Sequence, residues 1–225
     1  AILRKHLQLR RTFLPYFYTL AEEAHRLGWP MVRPLLWLSP EDSGSWGIDD
    51  CFLLGEHLLV APALEPEMEE RKVQLPAGTW VDYWTDEQHS GPGEVTIPTP
   101  LDRVPFLIRA GAVIPRMEEN GLVLDLYAPA ATSSGQESSL YLDEGDGYGP
   151  SRHDRFYSRH SEDGWSVEWK SQGDLPFPYP QIELQFHPPL PAALEVDDRS
   201  LSLEGDRIRI APFKQLNCKA ADHTS

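Results

Sequence analysis

From Cys51 onward the sequence is a succession of short apolar runs separated by glycine and proline, and this pattern constrains the fold most. Short runs of β-branched, aromatic and other apolar residues favour strands, and the Gly and Pro between them favour turns. In residues 51–128 the runs are "CFLLG", "HLLVAPAL", "RKVQLP", "TWVDYW", "EVTIP", "VPFLIR", "AVIP" and "LVLDLYAP". Regularly spaced short strands of this kind are typical of an antiparallel β-sandwich. The sequence therefore predicts a mainly β protein.

Residues 75–115 contain two hairpin signals within this pattern. In "LPAGTWVDYWT", Pro76 and Gly78 break the backbone ahead of a strand of aromatic and β-branched residues. In "PLDRVPFLIRAGAVIP", two strands are predicted to fold back on each other at Ala110 and Gly111, where a residue that tolerates positive φ is needed. Both signals indicate antiparallel pairing.

A second β-rich region follows the stretch "PAATSSGQESS", whose composition predicts a loop and a boundary. The apolar runs beyond it are "SLYL", "DRFYSRH", "WSVEWK", "QIELQFH", "ALEVDD", "SLSLEG" and "RIRIAPF". They predict a second β-sandwich over residues 129–225, whose last residues, "KQLNCKAADHTS", carry no pattern.

Residues 2–27 have the periodicity of a long amphipathic helix. One apolar row comprises Leu9, Phe13, Tyr16, Leu20, Ala24 and Leu27, and a second comprises Leu7, Leu14, Phe17 and Ala21. Pro15 removes a backbone donor, so we expect a kink or break near Phe13 and Leu14. Gly28 predicts the helix end. The following "PMVRPLLWL" lacks alternation, which favours a strand covered on both faces, as in the parallel sheet of a barrel.

Three blocks resemble a known family. "FLLGEHLLVAPAL", "LPAGTWVDYWT" and "PLDRVPFLIRAGAVIP" are similar, in this order, to the blocks that follow the catalytic barrel in glycoside hydrolase family 31, the α-glucosidase and α-xylosidase family. The preceding "LRRTFLPYFYTLAEEAHRLGWPMVRPLLW" resembles the last part of that family's barrel. The similarity is clear from Leu3 to about Pro129, and beyond that only "LYLDEGDGY" resembles the family.

The resemblance implies a mainly β fold that begins with the end of a (β/α)8 TIM barrel, its last helix and strand. It places that barrel end at residues 1–50, a proximal antiparallel β-sandwich at residues 51–128 and a distal one at residues 129–225. It also implies the C-terminal part of a retaining α-glycosidase that supports the barrel, packs on it and reaches its carbohydrate substrate through the parent enzyme. Both catalytic aspartates are then expected upstream of residue 1. No catalytic, cofactor-binding or metal-binding residue is predicted in this chain.

A non-catalytic carbohydrate-binding or adhesion module with the same sandwich architecture is the alternative, since fold does not fix function. The segment from Leu3 to Leu38 distinguishes the two. A free-standing module has no use for a helix whose apolar stripe would be exposed.

Composition excludes further classes of function. The formal net charge of −15 and the pI near 4.9 argue against nucleic-acid binding, which depends on clustered Lys and Arg. No apolar run is long enough to span a bilayer, and no targeting signal is visible. Cys51 and Cys218 have no His or Cys neighbour at metal spacing, so we interpret them as two free thiols.

Acidic residues at two predicted turns could have a role in catalysis or in calcium binding. Glu41 and Asp42 follow "PMVRPLLWL", where a barrel would have its catalytic face, but acids are also favoured in the first turn of a short helix, and we prefer that interpretation. Asp143, Glu144 and Asp146 suggest calcium, yet their spacing fails the helix-flanked calcium loop. We interpret them as a turn that binds no metal tightly.

Several aromatic residues and two histidines also allow a functional and a structural interpretation. Trp80, Tyr83 and Trp84, with Asp82 between them, could stack on a sugar and hydrogen-bond its hydroxyls, but strand alternation places at least one aromatic face in the core. Core packing is likewise predicted for Trp165 and Trp169 in "EDGWSVEWK". The histidines that flank "DRFYSR", His153 and His160, are predicted to face solvent.

Overall fold

The computed structural model describes residues 2–145 and 148–220. Its helices are α1 (Ile2–Thr12) and α2 (Leu14–Leu27), interrupted at Phe13. The predicted break near Pro15 is confirmed. The Gly28 N–H donates to the Ala24 carbonyl at 3.1 Å and Gly28 has a φ of 72°, which is the expected glycine termination.

Most strands of the described residues are short, and the longest form two antiparallel pairs, Glu70–Asp82 with Gln88–Pro98 and Ser151–Ser161 with Gly164–Gly173. In chain order they are β1 (Val32–Arg33), β2 (Phe52–Leu54), β3 (Leu58–Val60), β4 (Glu70–Asp82), β5 (Gln88–Pro98), β6 (Phe106–Arg109), β7 (Val113–Glu118), β8 (Gly121–Leu126), β9 (Gln136–Asp143), β10 (Ser151–Ser161), β11 (Gly164–Gly173), β12 (Ile182–Phe186), β13 (Ala193–Val196), β14 (Arg199–Leu201), β15 (Arg207–Ile210) and β16 (Gln215–Lys219). Short 3₁₀ helices form at Leu35–Trp37 and Ser43–Ser45. The protein is mainly β, as predicted.

The chain divides into two compact units. The first contains residues 2–7 and Glu23–Ala110, and the second contains Gln8–Glu22 and residues 111–220. The predicted boundaries at 50/51 and 128/129 stay predictions.

The first unit is built on one six-stranded sheet, ordered β1-β2-β3-β6-β4-β5. Alternation along β4 sends Val73 and Leu75 into its core beside Trp80. The other buried residues of this cluster, from the 3₁₀ segment and from the other strands and their ends, are Leu35, Cys51, Leu53, Leu59, Ala61, Ile97 and Leu107. A second sheet of a proximal sandwich does not appear among the described residues of this unit.

The prediction of a buried parallel strand at "PMVRPLLWL" is wrong. β1 covers two residues, pairs antiparallel with β2, and leaves Val32 exposed. Pro34 has no N–H to continue the ladder, and the chain turns into the 3₁₀ helix Leu35–Trp37.

The predicted strand pair around Gly111 is also wrong, although Gly111 does adopt a positive φ of 86°. β6 pairs with β3 and β4, whereas β7 pairs with β8. The backbone on either side of the turn is bonded elsewhere, because the Ala110 N–H donates to Thr79 and the Gly111 N–H donates to Tyr127.

The second unit contains two sheets around one hydrophobic core. One sheet is ordered β14-β13-β16-β11-β10-β9 and the other β15-β12-β8-β7. Buried residues of both sheets form the core, among them Leu124, Leu184, Phe156, Val167 and Leu216. Face-to-face packing of this kind explains the apolar alternation of the strands.

Two sequence predictions differ from this arrangement. β8 and β12 run parallel, with Leu124 opposite Leu184, so the sheet is mixed and the prediction of purely antiparallel sandwiches is wrong here. β9 begins at Gln136, inside the predicted loop, because Gln136 pairs with Ser158 across the β9–β10 ladder. Among the described residues no helix is long and apolar enough to cross a membrane.

Candidate functional site

Some apolar residues of the N-terminal helices are buried, and others are exposed. Of the first row predicted from the sequence, Phe13, Tyr16 and Leu20 are each only 3% exposed. We call these three residues the inner row. In contrast, Leu3 and Leu7 on α1 are exposed, as are Leu14 and Tyr18 on α2. The spacing from Leu3 to Leu7 and from Leu14 to Tyr18 is four residues, so each pair shares one helix face. We call these four residues the outer row.

The outer row belongs to a segment that exposes unusually many apolar side chains. Nine of the thirteen large hydrophobic residues exposed among the described residues lie within residues 2–46. They are Ile2, Leu3, Leu7, Leu14, Tyr18, Leu27, Trp29, Val32 and Trp46. No residue of α1 is buried. Contiguous exposed apolar surface marks interaction sites, so this segment is the candidate interaction surface.

Specific hydrogen bonds hold α2 in place within the second unit. The Tyr18 hydroxyl donates to the Asp143 carboxylate, at 2.8 Å from Oδ1 and 2.7 Å from Oδ2. The hydrogen bond to Asp143, aided by burial, raises the pKa of Tyr18 to about 12. The Tyr141 N–H donates to Thr19 Oγ1 at 2.9 Å. These bonds fix the rotation of the helix and therefore the direction of its outer row.

In the first unit, Arg33 is held in a cage of aromatic and acidic side chains. It is 1% exposed, pairs with Glu23 at 3.0 Å and Glu56 at 3.4 Å, and its Nε donates to the Pro30 carbonyl at 2.8 Å. Its guanidinium lies 5.4 Å from the Trp29 ring centroid and 5.0 Å from that of Trp37. Sequence reasoning missed this cage, although Trp, Arg and Trp at four-residue spacing could have signalled it. These contacts anchor Arg33, and β1 with it.

Glu41 and Asp42 lie at a turn, as interpreted from the sequence. Asp42 caps the 3₁₀ helix Ser43–Ser45, and its Oδ1 accepts a hydrogen bond from the Gly44 N–H at 2.9 Å. Both acids are exposed. The interpretation that they open a short helix is confirmed.

The acidic glycine turn is tied to the protein itself. Asp143 accepts hydrogen bonds from the Tyr18 hydroxyl and, at 2.9 Å, from the Gly145 N–H. Burial would raise the pKa of Asp143, but these hydrogen bonds hold it below its ordinary value. Asp146 lies outside the described residues. Within those residues, no group of three or more His, Cys, Asp or Glu side chains is arranged to hold a metal ion.

The aromatic residues of β4 and the turn after it serve packing. Trp80 has no exposed surface, and its Nε1 donates to the Pro76 carbonyl at 3.1 Å. β4 ends at Asp82, so the predicted alternation does not reach Tyr83 and Trp84. Asp82 instead organises a turn, accepting hydrogen bonds from the backbone N–H groups of Trp84 and Thr85.

The aromatic residues of the distal strands follow the prediction. Trp165 and Trp169 are 8% and 6% exposed and belong to the core of the second unit. His160 is exposed, as predicted. His153 is half-buried, with its Nε2 3.6 Å from Glu22 and its ring 4.8 Å from that of Tyr141, so the prediction that it faces solvent is wrong.

Comparison with known families then identifies part of the chain. Residues 28–114 match the model of the glycosyl hydrolase family 31 C-terminal domain. This part of the chain is a family 31 C-terminal domain. It contains Arg33 with Trp29, Trp37 and Glu56, β1 to β6 and the turn organised by Asp82, so these features belong to the domain's own framework, whereas Glu23 lies before the matched residues.

Curated relatives and solved structures agree with this assignment. The chain is 39% identical over 113 residues to alpha-glucosidase 2 of Bacillus thermoamyloliquefaciens, covering 50% of this chain and 14% of that protein. It is 32% identical over 120 residues to the alpha-xylosidase of Saccharolobus solfataricus, covering 53% and 16%. The structure of the family 31 dextranase of Flavobacterium johnsoniae, complexed with isomaltotriose, superposes with a TM-score of 0.79 at 26% identity, covering 89% of this chain and 27% of that one. The chain thus spans about a sixth or less of these two curated relatives.

Proposed function

We propose that the chain is the C-terminal part of a retaining α-glycosidase, and that its N-terminal helices pack against the catalytic barrel of that enzyme. The family match and the similarity to an α-glucosidase and an α-xylosidase support the reaction class. The small share of each relative that the chain covers leaves ample length for a catalytic domain elsewhere in the parent protein.

The observation that carries the structural role is the exposed outer row. Fully burying a leucine side chain is worth about 1.5–3 kcal/mol, so leaving Leu3, Leu7 and Leu14 in water forgoes several such contributions. A barrel surface would cover them. Because β1 belongs to the antiparallel sheet of the first unit, we assign the barrel-closing role to the helices alone.

The chemistry requires residues outside this chain. A retaining glycosidase holds two carboxyl groups roughly 5–5.5 Å apart on either side of the scissile bond. Of the acidic residues at the two turns, Asp42 caps a 3₁₀ helix and Asp143 accepts the Tyr18 and Gly145 hydrogen bonds. We therefore place the nucleophile and the acid/base in the parent's barrel. A free-standing carbohydrate-binding module accounts less well for the exposed helices.

The assay compares this chain with the parent protein on aryl α-glucosides and α-xylosides, following the product anomer by NMR. We expect the parent to hydrolyse at least one substrate with retention, and this chain alone to hydrolyse none. Inversion by the parent would remove the mechanism. Turnover by the chain alone, abolished by Glu41→Gln or Asp42→Asn, would place catalysis within this sequence.

A further inference from the structure

The second unit contains a small cleft unrelated to the N-terminal helices. It lies where the turn between β7 and β8 meets the chain entering β12, and its volume is about 220 Å³. Six side chains supply its polar and aromatic lining: Glu118, Asn120, Tyr179, Gln181, Glu183 and Arg209. Pockets for drug-sized ligands run roughly 300–1,000 Å³, so this cleft has room for about one ring.

Three neutral hydrogen-bonding groups in the cleft are available to a ligand. Within the described part of the chain, the Tyr179 hydroxyl and the side-chain amides of Asn120 and Gln181 make no hydrogen bond. Tyr179 is half-buried, with its ring edge-on to Phe177 at 5.5 Å between centroids. Burial raises the pKa of Tyr179, so its hydroxyl stays neutral and can both donate and accept.

The charged groups that line the cleft, Glu118, Glu183 and Arg209, are largely neutralised together with the neighbouring Arg207. Arg207 Nη1 lies 3.0 Å from Glu118 and 2.6 Å from Glu183, while Arg209 Nη2 lies 3.3 Å from Glu183. Burial alone would raise the pKa of Glu118, but Arg207 and Arg116 hold it below its ordinary value. Two carboxylates facing these arginines leave little net charge, although the chain carries −15 overall. The cleft therefore suits a neutral ligand better than an ion.

We propose that this cleft is a binding site for one neutral pyranose unit of an oligosaccharide. The Tyr179 ring offers a flat apolar surface to the C–H face of the sugar. The amides of Asn120 and Gln181 and the carboxylate oxygens of Glu118 and Glu183 offer partners to its hydroxyls. An aromatic wall with a few convergent polar groups is the general form of a small-molecule site. The choice of α-linked glucose oligosaccharides as ligands rests on the proposed function.

Saturation-transfer difference NMR of the 225-residue chain with maltotriose and with isomaltotriose tests the site. We expect transfer concentrated on one ring of the ligand. Losing one hydrogen bond is expected to weaken binding about two- to tenfold, so Asn120→Ala and Gln181→Ala should each raise the Kd by that factor. Tyr179→Ala, which also loses the ring surface, should abolish transfer. Tyr148→Ala, an exposed tyrosine outside the cleft, is the matched control and should leave transfer unchanged.

Three results would overturn the proposal: no transfer at millimolar ligand, transfer that all three cleft variants leave intact, or displacement of the sugar by sulfate. Thermal unfolding checks that the variants fold. If Tyr179→Ala does not fold, Asn120→Ala and Gln181→Ala still test the proposal, because their side chains are exposed and their replacement should not disturb the fold. Hydrolysis by the parent is measured separately. Loss of the cleft proposal therefore leaves the glycosidase assay unaffected, and an inactive parent leaves the binding assay interpretable.

Discussion

Asp125 on β8 has no exposed surface and faces Arg116 on β7, which donates to it through Nε and, at 2.8 Å, through Nη2. Burial alone would raise the pKa of Asp125. Hydrogen bonds from His187 and Arg116 more than offset that effect and hold the pKa below its ordinary value. The cross-strand pair thus keeps a charge buried in the second unit.

Replacing Asp125 by Asn should lower the free energy of unfolding by about 3–5 kcal/mol at neutral pH, because the buried Arg116 would lose the charge of Asp125 and keep only that of the half-buried Glu118, at 3.1 Å. The folded-state pKa is depressed, so the stabilisation is complete above the unfolded-state pKa of about 3.9 and is lost as pH falls below it. The difference between wild type and variant should therefore shrink in acid. Urea unfolding followed by tryptophan fluorescence measures both.

The matched control is Glu94→Gln, which removes the partner of Lys72 from an exposed ion pair at 2.7 Å. Solvent screens that pair, so its loss should change stability far less. If Asp125→Asn cost no more than Glu94→Gln, the buried pair would not have the importance assigned to it.

At the scale of elements, α1 and α2 combine an anchored inner row with an exposed outer row. Leu7→Asp or Leu14→Asp should leave the stability of this chain nearly unchanged, because the two leucines are more than half exposed, at 57% and 52%. In the parent enzyme the same substitutions should lower the melting temperature and activity together, since the charge would be buried against the barrel. Calorimetry and hydrolysis assays on both proteins measure this contrast.

Leu101→Asp is the control, because Leu101 is 87% exposed and lies outside the helices. It should affect neither protein. Equal tolerance of all three substitutions in the parent would argue against a buried outer row.

At the scale of the whole molecule, each compact unit holds one buried thiol. Cys51 is 5% exposed in the first unit and Cys218 is 2% exposed in the second. Burial, with a contribution from Asp50, raises the pKa of Cys51 to about 12, and burial raises the pKa of Cys218 as well. Because the thiolate is the reactive form, burial protects both cysteines in two ways: a reagent cannot reach the sulfur, and the thiol stays protonated.

A disulfide reagent at mildly alkaline pH should therefore label neither cysteine in the folded chain and both in urea. Cys51→Ser and Cys218→Ser leave one thiol each, so the labelling rate of each variant reports the opening of a single unit. Ser134→Cys, at an exposed loop position, should react at once and shows that the reagent is competent. Rapid labelling of a native cysteine would show that its unit opens readily.

The sequence by itself determined the features that depend on neighbouring residues. The break near Pro15, the end at Gly28 and the positive φ of Gly111 follow from the backbone chemistry of single residues. The Asp42 turn is equally local. The mainly β fold class and the family resemblance could also be predicted, since strand propensity and the order of motifs depend on the sequence alone.

Tertiary structure alone decided which strands pair and which side chains meet. β6 does not form its predicted pair with β7, because β3 and β4 form hydrogen bonds with its two edges. β12 pairs in parallel with β8, although more than fifty residues separate the two strands in the sequence. Arg33 meets Glu56, and the cleft assembles Asn120 with Tyr179, in the same way. Such contacts join residues far apart in sequence, and their free energy appears only once the sheets have formed. No local pattern encodes it.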